Sequence, residues 1–307
     1  MNDITGPWHD LDLSRWAPTK QSLHLVAQML GKVRLALSPP QPNWMFTALY
    51  LTPRGLTTGS IPCDYSSIEC VLDVHDSSIV ILKSDGCTRT IPLLPPRAAA
   101  EVYAELSAAL KELNVECYIP PVPQEVPDTT PLNEDRRVRD YDPRAALRWF
   151  ETFTAVTGVF ERWRSRFFGR NGIQLWWGAF DVSLMLFSGE HVAPPTDRGY
   201  LMKYDLDAEL MNVGLYLGDE KTAPFFYGYI YPEPNGAPSL PIHPPSASWS
   251  VQLHEWVLPY GEVRASSDPE AAIRAFIDAI YAQCFDAARW KRDAHTYDPP
   301  KTYVWGK

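Results

Sequence analysis

The run ECVLDVHDSSIVIL, residues 69–82, decides the fold class. Cys70, Leu72 and Val74 fall on one face at a period of two, and Glu69, Val71, Asp73 and His75 fall on the other. Asp76-Ser77-Ser78 supplies turn chemistry, and Ile79 to Leu82 then returns, so the segment reads as an antiparallel hairpin. The same short, strand-like rhythm extends from Thr47 to Leu94, punctuated at Pro53-Arg54-Gly55, Ile61-Pro62 and Asp85-Gly86. A helix precedes it, from about Thr19 to Leu30 or beyond, with Thr19 as the cap. Leu23, Val26, Ala27, Met29, Leu30 and Val33 lie on its apolar arc, and Lys20, Gln21, His24, Gln28 and Lys32 on its polar one. Another helix follows, Arg97 to Leu113, and then a short strand, Val115 to Ile119.

Beyond this the order repeats. Five prolines between Tyr118 and Pro131 make an extended connection. A long helix runs from Pro143 to about Phe168, capped by Asp142, with Trp149, Phe153, Val156, Phe160, Trp163 and Phe167 as an aromatic core stripe. Strands are expected at Ile173 to Gly178, Phe180 to Phe187, Glu209 to Leu217, Phe225 to Tyr231 and Trp249 to Leu258. A final helix opens at Asp268 and reaches about Trp290, and the tail from Lys291 is expected to lie over the surface. The reading is an α+β protein: antiparallel sheets flanked by helices, in two helix–strands–helix halves whose element order fits a diverged duplication. The halves are 1–120 and 143–307, joined by the Pro-rich connection 121–142.

Composition narrows the function classes. The 307 residues carry 28 Lys+Arg against 37 Asp+Glu, a net charge of -9, which disfavours a general DNA or anionic-membrane binder. No stretch approaches the ~18 consecutive apolar residues of a spanning helix, and the N-terminus lacks the pattern of a signal peptide. Five scattered cysteines without a CxxC pair predict free thiols in a reducing cytoplasm rather than a disulfide framework or a zinc site. Dinucleotide-binding, P-loop, serine-hydrolase and zinc-protease signatures are all missing.

What remains informative is charge placed where the local period demands an apolar side chain, since an ion buried without a partner costs several kcal/mol. Asp181 is the one charge in Ile173 to Phe187, and Glu255 falls on the face of Trp249, Val251, Leu253 and Val257. Both are expected to meet cations drawn from Lys32, Arg34 and Arg54, either as a structural ion-pair network or as an acid/base pocket. His24, Gln28 and Lys32 form an i, i+4, i+8 stripe, which periodicity alone assigns to a solvated face. A metal site from His24, Asp181 and Glu255 would lack a second histidine. Arg136 to Arg170 holds nine arginines against four acids, a basic face that invites an RNA reading.

These residues resemble a bacterial domain-of-unknown-function family (5996). The resemblance rests on Leu23-His24-Leu25, Gln28, GKVRLA at 31–36, LYLTPRGLTT at 49–58, WGAFD at 177–181, Phe187-Ser188-Gly189, YPEP at 231–234 and Leu258-Pro259-Tyr260, and it covers about Ser22 to Trp290. It implies a stand-alone soluble bacterial protein. It also maps family-typical positions onto His24, Gln28, Lys32, Arg34, Arg54, Asp181, Glu233 and Glu255. Met185-Leu186 stands where the family tends to Thr-Arg, and His254 stands in place of a typical glycine.

The expectation is binding of a small polar or anionic molecule in an aromatic-lined cleft. Asp181, Glu255 and His24 are the candidate acid/base groups. Gln28, Lys32, Arg34, Arg54, Trp176, Trp177, Tyr227 and Glu233 are the candidate ligand contacts. The alternative is a non-catalytic protein-interaction or RNA-binding role through the Pro-rich loops and Arg136 to Arg170. The sequence names no particular cofactor or metal, and that point stays open.

Overall fold

The computed structural model describes residues 6–195 and 199–296, so the remainder of the tail, 297–307, lies outside the described residues. The chain forms two compact units: Met1–Ala155 with Gln174–Val182 and Tyr216–Pro224, and Val156–Ile173 with Ser183–Leu215 and Phe225–Lys307.

The first unit is organised around α1, Ala17–Leu37. Leu23, Val26, Ala27, Met29, Leu30 and Val33 are buried as the apolar arc requires, and Arg34 is buried among them beside Leu23 and Leu30, but so are Gln28 and Lys32 on the other side. A helix covered all round, rather than one with a solvated face, is the first departure from periodicity. Nor is Thr19 the cap: Trp16 holds that position, Pro18 sits in the first turn, and Thr19 Oγ1 instead accepts from the Asp142 N–H at 2.9 Å. Because the helix continues through Leu37, Arg34 belongs to it and is 7% exposed.

Six short strands follow: β1 Tyr50–Thr52, β2 Gly55–Thr57, β3 Ile61–Cys63, β4 Ser66–Asp73, β5 Ser78–Lys83 and β6 Thr88–Pro92. They form an antiparallel sheet in the order β1-β2-β4-β5-β6, with β3 also on β4. The β4–β5 register pairs Cys70 with Ile81 and Leu72 with Ile79, and all four are fully buried, so one face of the hairpin is the core face. Helix α2, Ala99–Glu112, buries Val102, Leu106, Ala109 and Leu110 and packs on α1 and β6. Glu101 in its first turn accepts from the Ala98 N–H at 3.1 Å.

Val115 to Ile119 does not form the expected strand. Prolines 120, 121, 123, 127 and 131 withhold the donors that a ladder needs, and the chain from 115 to 131 instead runs as an extended connection whose carbonyls find other partners. Helix α3, Pro143–Arg164, starts on the Asp142 cap, whose carboxylate accepts from the Arg144 N–H at 2.9 Å. Its stripe of Trp149, Phe153, Val156, Phe160 and Trp163 is buried throughout, as a core face should be.

The second sheet runs β11-β12-β10-β9-β8-β7. Its strands are β7 Asn171–Trp176, β8 Asp181–His191, β9 Ala208–Tyr216, β10 Phe225–Tyr231, β11 Ser248–Ser250 and β12 Glu255–Pro259, with a short helix α4, Tyr200–Asp205, before β9. Residues 181–187 of β8 are buried without alternation, which is the pattern of a strand covered on both faces. The single strand expected from Trp249 to Leu258 is in fact two, joined by a turn at 251–254 with His254 at φ +57°. Val251 and Leu253 are therefore exposed, and Glu255 is half-buried rather than on a continuous apolar face. A short helix that the sequence did not announce precedes the expected final one, which ends at Asp286. α5 spans Tyr260–Ala265, and α6, Pro269–Asp286, begins on the Asp268 cap and packs Ile273, Phe276, Ile277 and Ile280 toward β10.

Candidate functional site

The polar arc of α1 sets the chemistry of the first unit. Lys20, His24, Gln28 and Lys32 are spaced at i+4, so they stack along one line of the helix. Each donates to backbone carbonyls of non-helical segments. Lys20 Nζ donates to Gly218 O at 2.5 Å. His24 Nε2 donates to Trp177 O and Gly178 O, both at 2.9 Å. Gln28 Nε2 donates to Gln124 O at 2.7 Å while its Oε1 accepts from the Gln124 N–H at 3.1 Å, which grips one residue of the Pro-rich connection at two points. Lys32 Nζ donates to Pro120 O at 2.9 Å and to Val122 O. Proline-rich chain that cannot pair in a sheet thus has its carbonyls satisfied by side chains of the helix it covers.

The segment 176–181 is positioned from two sides. Leu49 and Leu175 exchange backbone hydrogen bonds at 2.9 and 2.8 Å. Trp177 donates from Nε1 to Thr47 O at 2.9 Å and lays its ring on Gly31, where an added Cβ would stand 2.1 Å from Trp177 Cδ1. The turn closes with Phe180 N–H donating to Trp176 O at 2.7 Å and leaves Phe180 at φ +60°. A bulky residue in the left-handed region is an outlier, costing ~1–3 kcal/mol that the surroundings must offset. Here the ring stacks on the His24 imidazole at 5.0 Å and 14°, and Trp149 stacks behind it at 5.2 Å. A second non-glycine residue in the same region, Glu125 at φ +56°, brings its carboxylate against Gly178, where an added Cβ would lie 2.4 Å from Oε1. Only glycine leaves that space.

The electrostatics follow from burial. Desolvation is the main reason that the His24 pKa falls to about 4, and the nearby Lys20 charge adds to the fall against the two carbonyl hydrogen bonds. His24 is therefore neutral at physiological pH. The two near Nε2 partners, at 2.9 Å, are carbonyl acceptors and the Gln28 amide nitrogen stands farther off at 3.4 Å, so the proton is assigned to Nε2 and Nδ1 carries a lone pair that takes no hydrogen bond from the described residues. Desolvation likewise lowers Lys20 to about 8, with Asp219 opposing it, and Lys32 to about 8. Neither lysine makes an ion pair among the described residues. Glu125 is exposed as a residue, yet the protein around its carboxylate desolvates it and raises its pKa. Burial, then the charges of Asp219 and Asp181, push the Tyr216 phenol up to about 12, and its hydroxyl donates to Asp219 Oδ2 at 3.3 Å. The Lys20 ammonium lies 5.9 Å from the Tyr216 ring centroid.

The remaining candidates are distributed as follows. Asp181 is 5% exposed and belongs to this unit with His24, Gln28, Lys32, Trp176 and Trp177. Arg34 is committed to carbonyls, donating to Phe46 O at 2.9 Å and to Thr58 O, and its guanidinium lies 5.0 Å over the Tyr50 ring. Arg54 bridges two turns through Asp73 at 2.6 Å and Asp76 at 2.5 Å. Tyr227, Glu233 and Glu255 belong to the second unit, where Glu233 meets the exposed His254 at 2.9 Å. Four residues of the cluster were not among the sequence candidates: Lys20, Glu125, Tyr216 and Asp219. Lys20 is one more step of the His24 stripe and was open to detection by spacing; Tyr216 ends strand β9, and Glu125 and Asp219 stand on irregular chain with no period to mark them. Among the described residues no three His, Cys, Asp or Glu side chains are grouped to hold a metal ion, and no helix is long and apolar enough to cross a membrane.

Comparison with known proteins adds one match. The profile of a family of unknown function, DUF5996, matches residues 8–297. No curated protein and no solved structure matches the chain.

Proposed function

We propose that this chain, which belongs to the DUF5996 family of unknown function, binds a small polar, anionic molecule beside the Lys20–His24 end of α1, with His24 as the proton acceptor. The observation that carries the reading is a neutral imidazole stacked on the left-handed Phe180, whose Nε2 reaches Gly178 O beside the carboxylate of the left-handed Glu125 and whose Nδ1 takes no hydrogen bond from the described residues. Backbone strain of this kind persists where a function or a rigid environment demands it. Lys20 supplies positive charge beside the imidazole; Asp219 acts on it from a distance but makes no ion pair with it among the described residues, which leaves the ammonium able to meet an anion. Glu125, with its raised pKa, and the buried Asp181 are the acids available to return the proton.

Gln28 and Lys32 support a second, structural reading for their end of the stripe, because their donors are already spent on Pro120, Val122 and Gln124. RNA binding through Arg136 to Arg170 is not favoured. Arg137, Arg139, Arg148, Arg162, Arg164 and Arg166 each pair with a carboxylate, which leaves little net field for a phosphate backbone.

The test is a thermal-shift and calorimetric screen of small carboxylates and phosphate esters on wild-type chain, His24→Gln and Lys20→Gln. The proposal expects at least one saturable ligand whose affinity falls tenfold or more in both variants. A ligand bound equally by all three proteins, or no saturable ligand for a folded wild type, would count against it.

A further inference from the structure

On the far side of α1 from the His24 stripe lies a cavity of about 30 Å³, bounded by α1, the start of α2 and residues 139–141. Its polar lining is Ser22, Arg97, Arg139 and Tyr141, and no acidic side chain lines it. The rest of the wall is aliphatic, including Val26, Met29 and Val102. We infer that this cavity is a second binding site, for a short monocarboxylate of formate or acetate size, held by the two guanidiniums and the Tyr141 hydroxyl with its carbon end on the aliphatic wall.

The guanidiniums are held in place from outside the cavity. Arg97 is clamped by Glu105 at 2.6 and 2.9 Å and donates to Pro92 O at 3.2 Å; Arg139 donates to Asp135 at 2.5 Å and to Arg137 O at 3.1 Å. A guanidinium carries five N–H donors. Three hydrogen bonds engage Arg97, whose Nε also lies 3.8 Å from Glu101 Oε2, and two engage Arg139, so both retain donors, in planes already fixed by their carboxylates. That is the arrangement in which arginine recognises a planar carboxylate with little entropy loss. Tyr141 is 7% exposed, and its hydroxyl, although near Ser77, makes no well-formed hydrogen bond among the described residues. A buried hydroxyl in that condition is stabilised by an acceptor. The space exceeds the ~10–15 Å³ that one water needs, and its mixed lining suits a ligand with one anionic and one apolar end better than water alone.

Saturation-transfer NMR on the acetate methyl group, with full-length chain at constant ionic strength in chloride, tests the inference. A saturable signal is expected for wild type. Tyr141→Phe, which removes the hydroxyl at constant shape, should weaken binding at least fivefold. Arg139→Gln or the cavity-filling Ala99→Val should abolish it. His24→Gln should leave it unchanged, and that separates this site from the α1 stripe: loss of the signal in His24→Gln, with Ala99→Val intact, would place acetate at the stripe and overturn this assignment while supporting the other. Absence of a saturable signal in wild type, or equal affinity in Arg139→Gln and Ala99→Val, would leave the cavity to water.

Discussion

Acidification offers the sharpest test of the buried imidazole. His24 titrates near 6.5 in the unfolded chain and at about 4 in the folded one. Above pH 6.5 it is neutral in both states and contributes no pH dependence. Below 6.5 the unfolded chain takes up a proton that the folded protein refuses, so stability falls by about 1.4 kcal/mol per pH unit until pH 4, where the loss levels off. Over the 1.5 units from 6.5 to 5 this single group costs about 2 kcal/mol, and over the full window about 3 kcal/mol. Carboxylates also titrate in this range, so the experiment is a difference. Denaturant unfolding of wild type and His24→Gln is followed at pH 7.5, 6.5, 5.5 and 4.5. Glutamine keeps an N–H donor for Trp177 O and Gly178 O but does not titrate. At pH 7.5 the variant should be less stable by about 1 kcal/mol through loss of the stack on Phe180. With acid the curves should converge and then cross, because only the wild type carries the histidine penalty. Parallel loss of stability in the two proteins from pH 6.5 to 4.5 would refute the claim that His24 is held neutral by burial.

The other expectations are more local. Lys32→Met preserves the aliphatic length but leaves Pro120 O and Val122 O without their donor, costing about 2–6 kcal/mol at ~1–3 per orphaned carbonyl; limited proteolysis should then cut the 118–131 connection first, and an unchanged digestion pattern would contradict its clamping by α1. Gly31→Ala should destabilise by at least ~1–3 kcal/mol because the Trp177 ring occupies the space of the new methyl, with partial rescue by Trp177→Phe measured as Tm. Replacing the Asp142 cap by alanine should cost about 1 kcal/mol by denaturant unfolding. With a thiol reagent at pH 7.5, the exposed Cys87 should label first, Cys117 slowly because burial raises its thiol to about 11, and the buried Cys70 and Cys284 only on unfolding; early labelling of Cys70 would place it outside the core.

Local period made much of this protein legible. The apolar arc of α1, the 69–82 hairpin, the aromatic stripe of α3 and the unbroken burial of β8 each depend on side chains a few positions apart, and spacing along a helix or strand dictates which of them share a face. Asp181 was found by the same logic: it is the one charge in a run that the core encloses. Period is silent about what arrives from elsewhere in the chain. The stripe of Lys20, His24, Gln28 and Lys32 reads as a solvated face until residues 88 to 198 positions away lay their carbonyls on it, and only that contact turns an ordinary polar arc into a buried, neutral imidazole. Val115 to Ile119 and the 249–258 run went astray for a related reason. Strand-like composition forms a strand only where a partner offers donors and acceptors, and a turn at 251–254 can interrupt a perfect alternation without altering it. Tertiary structure therefore decided which polar residues leave water, because desolvation depends on the distance in space to covering chain and not on order along it.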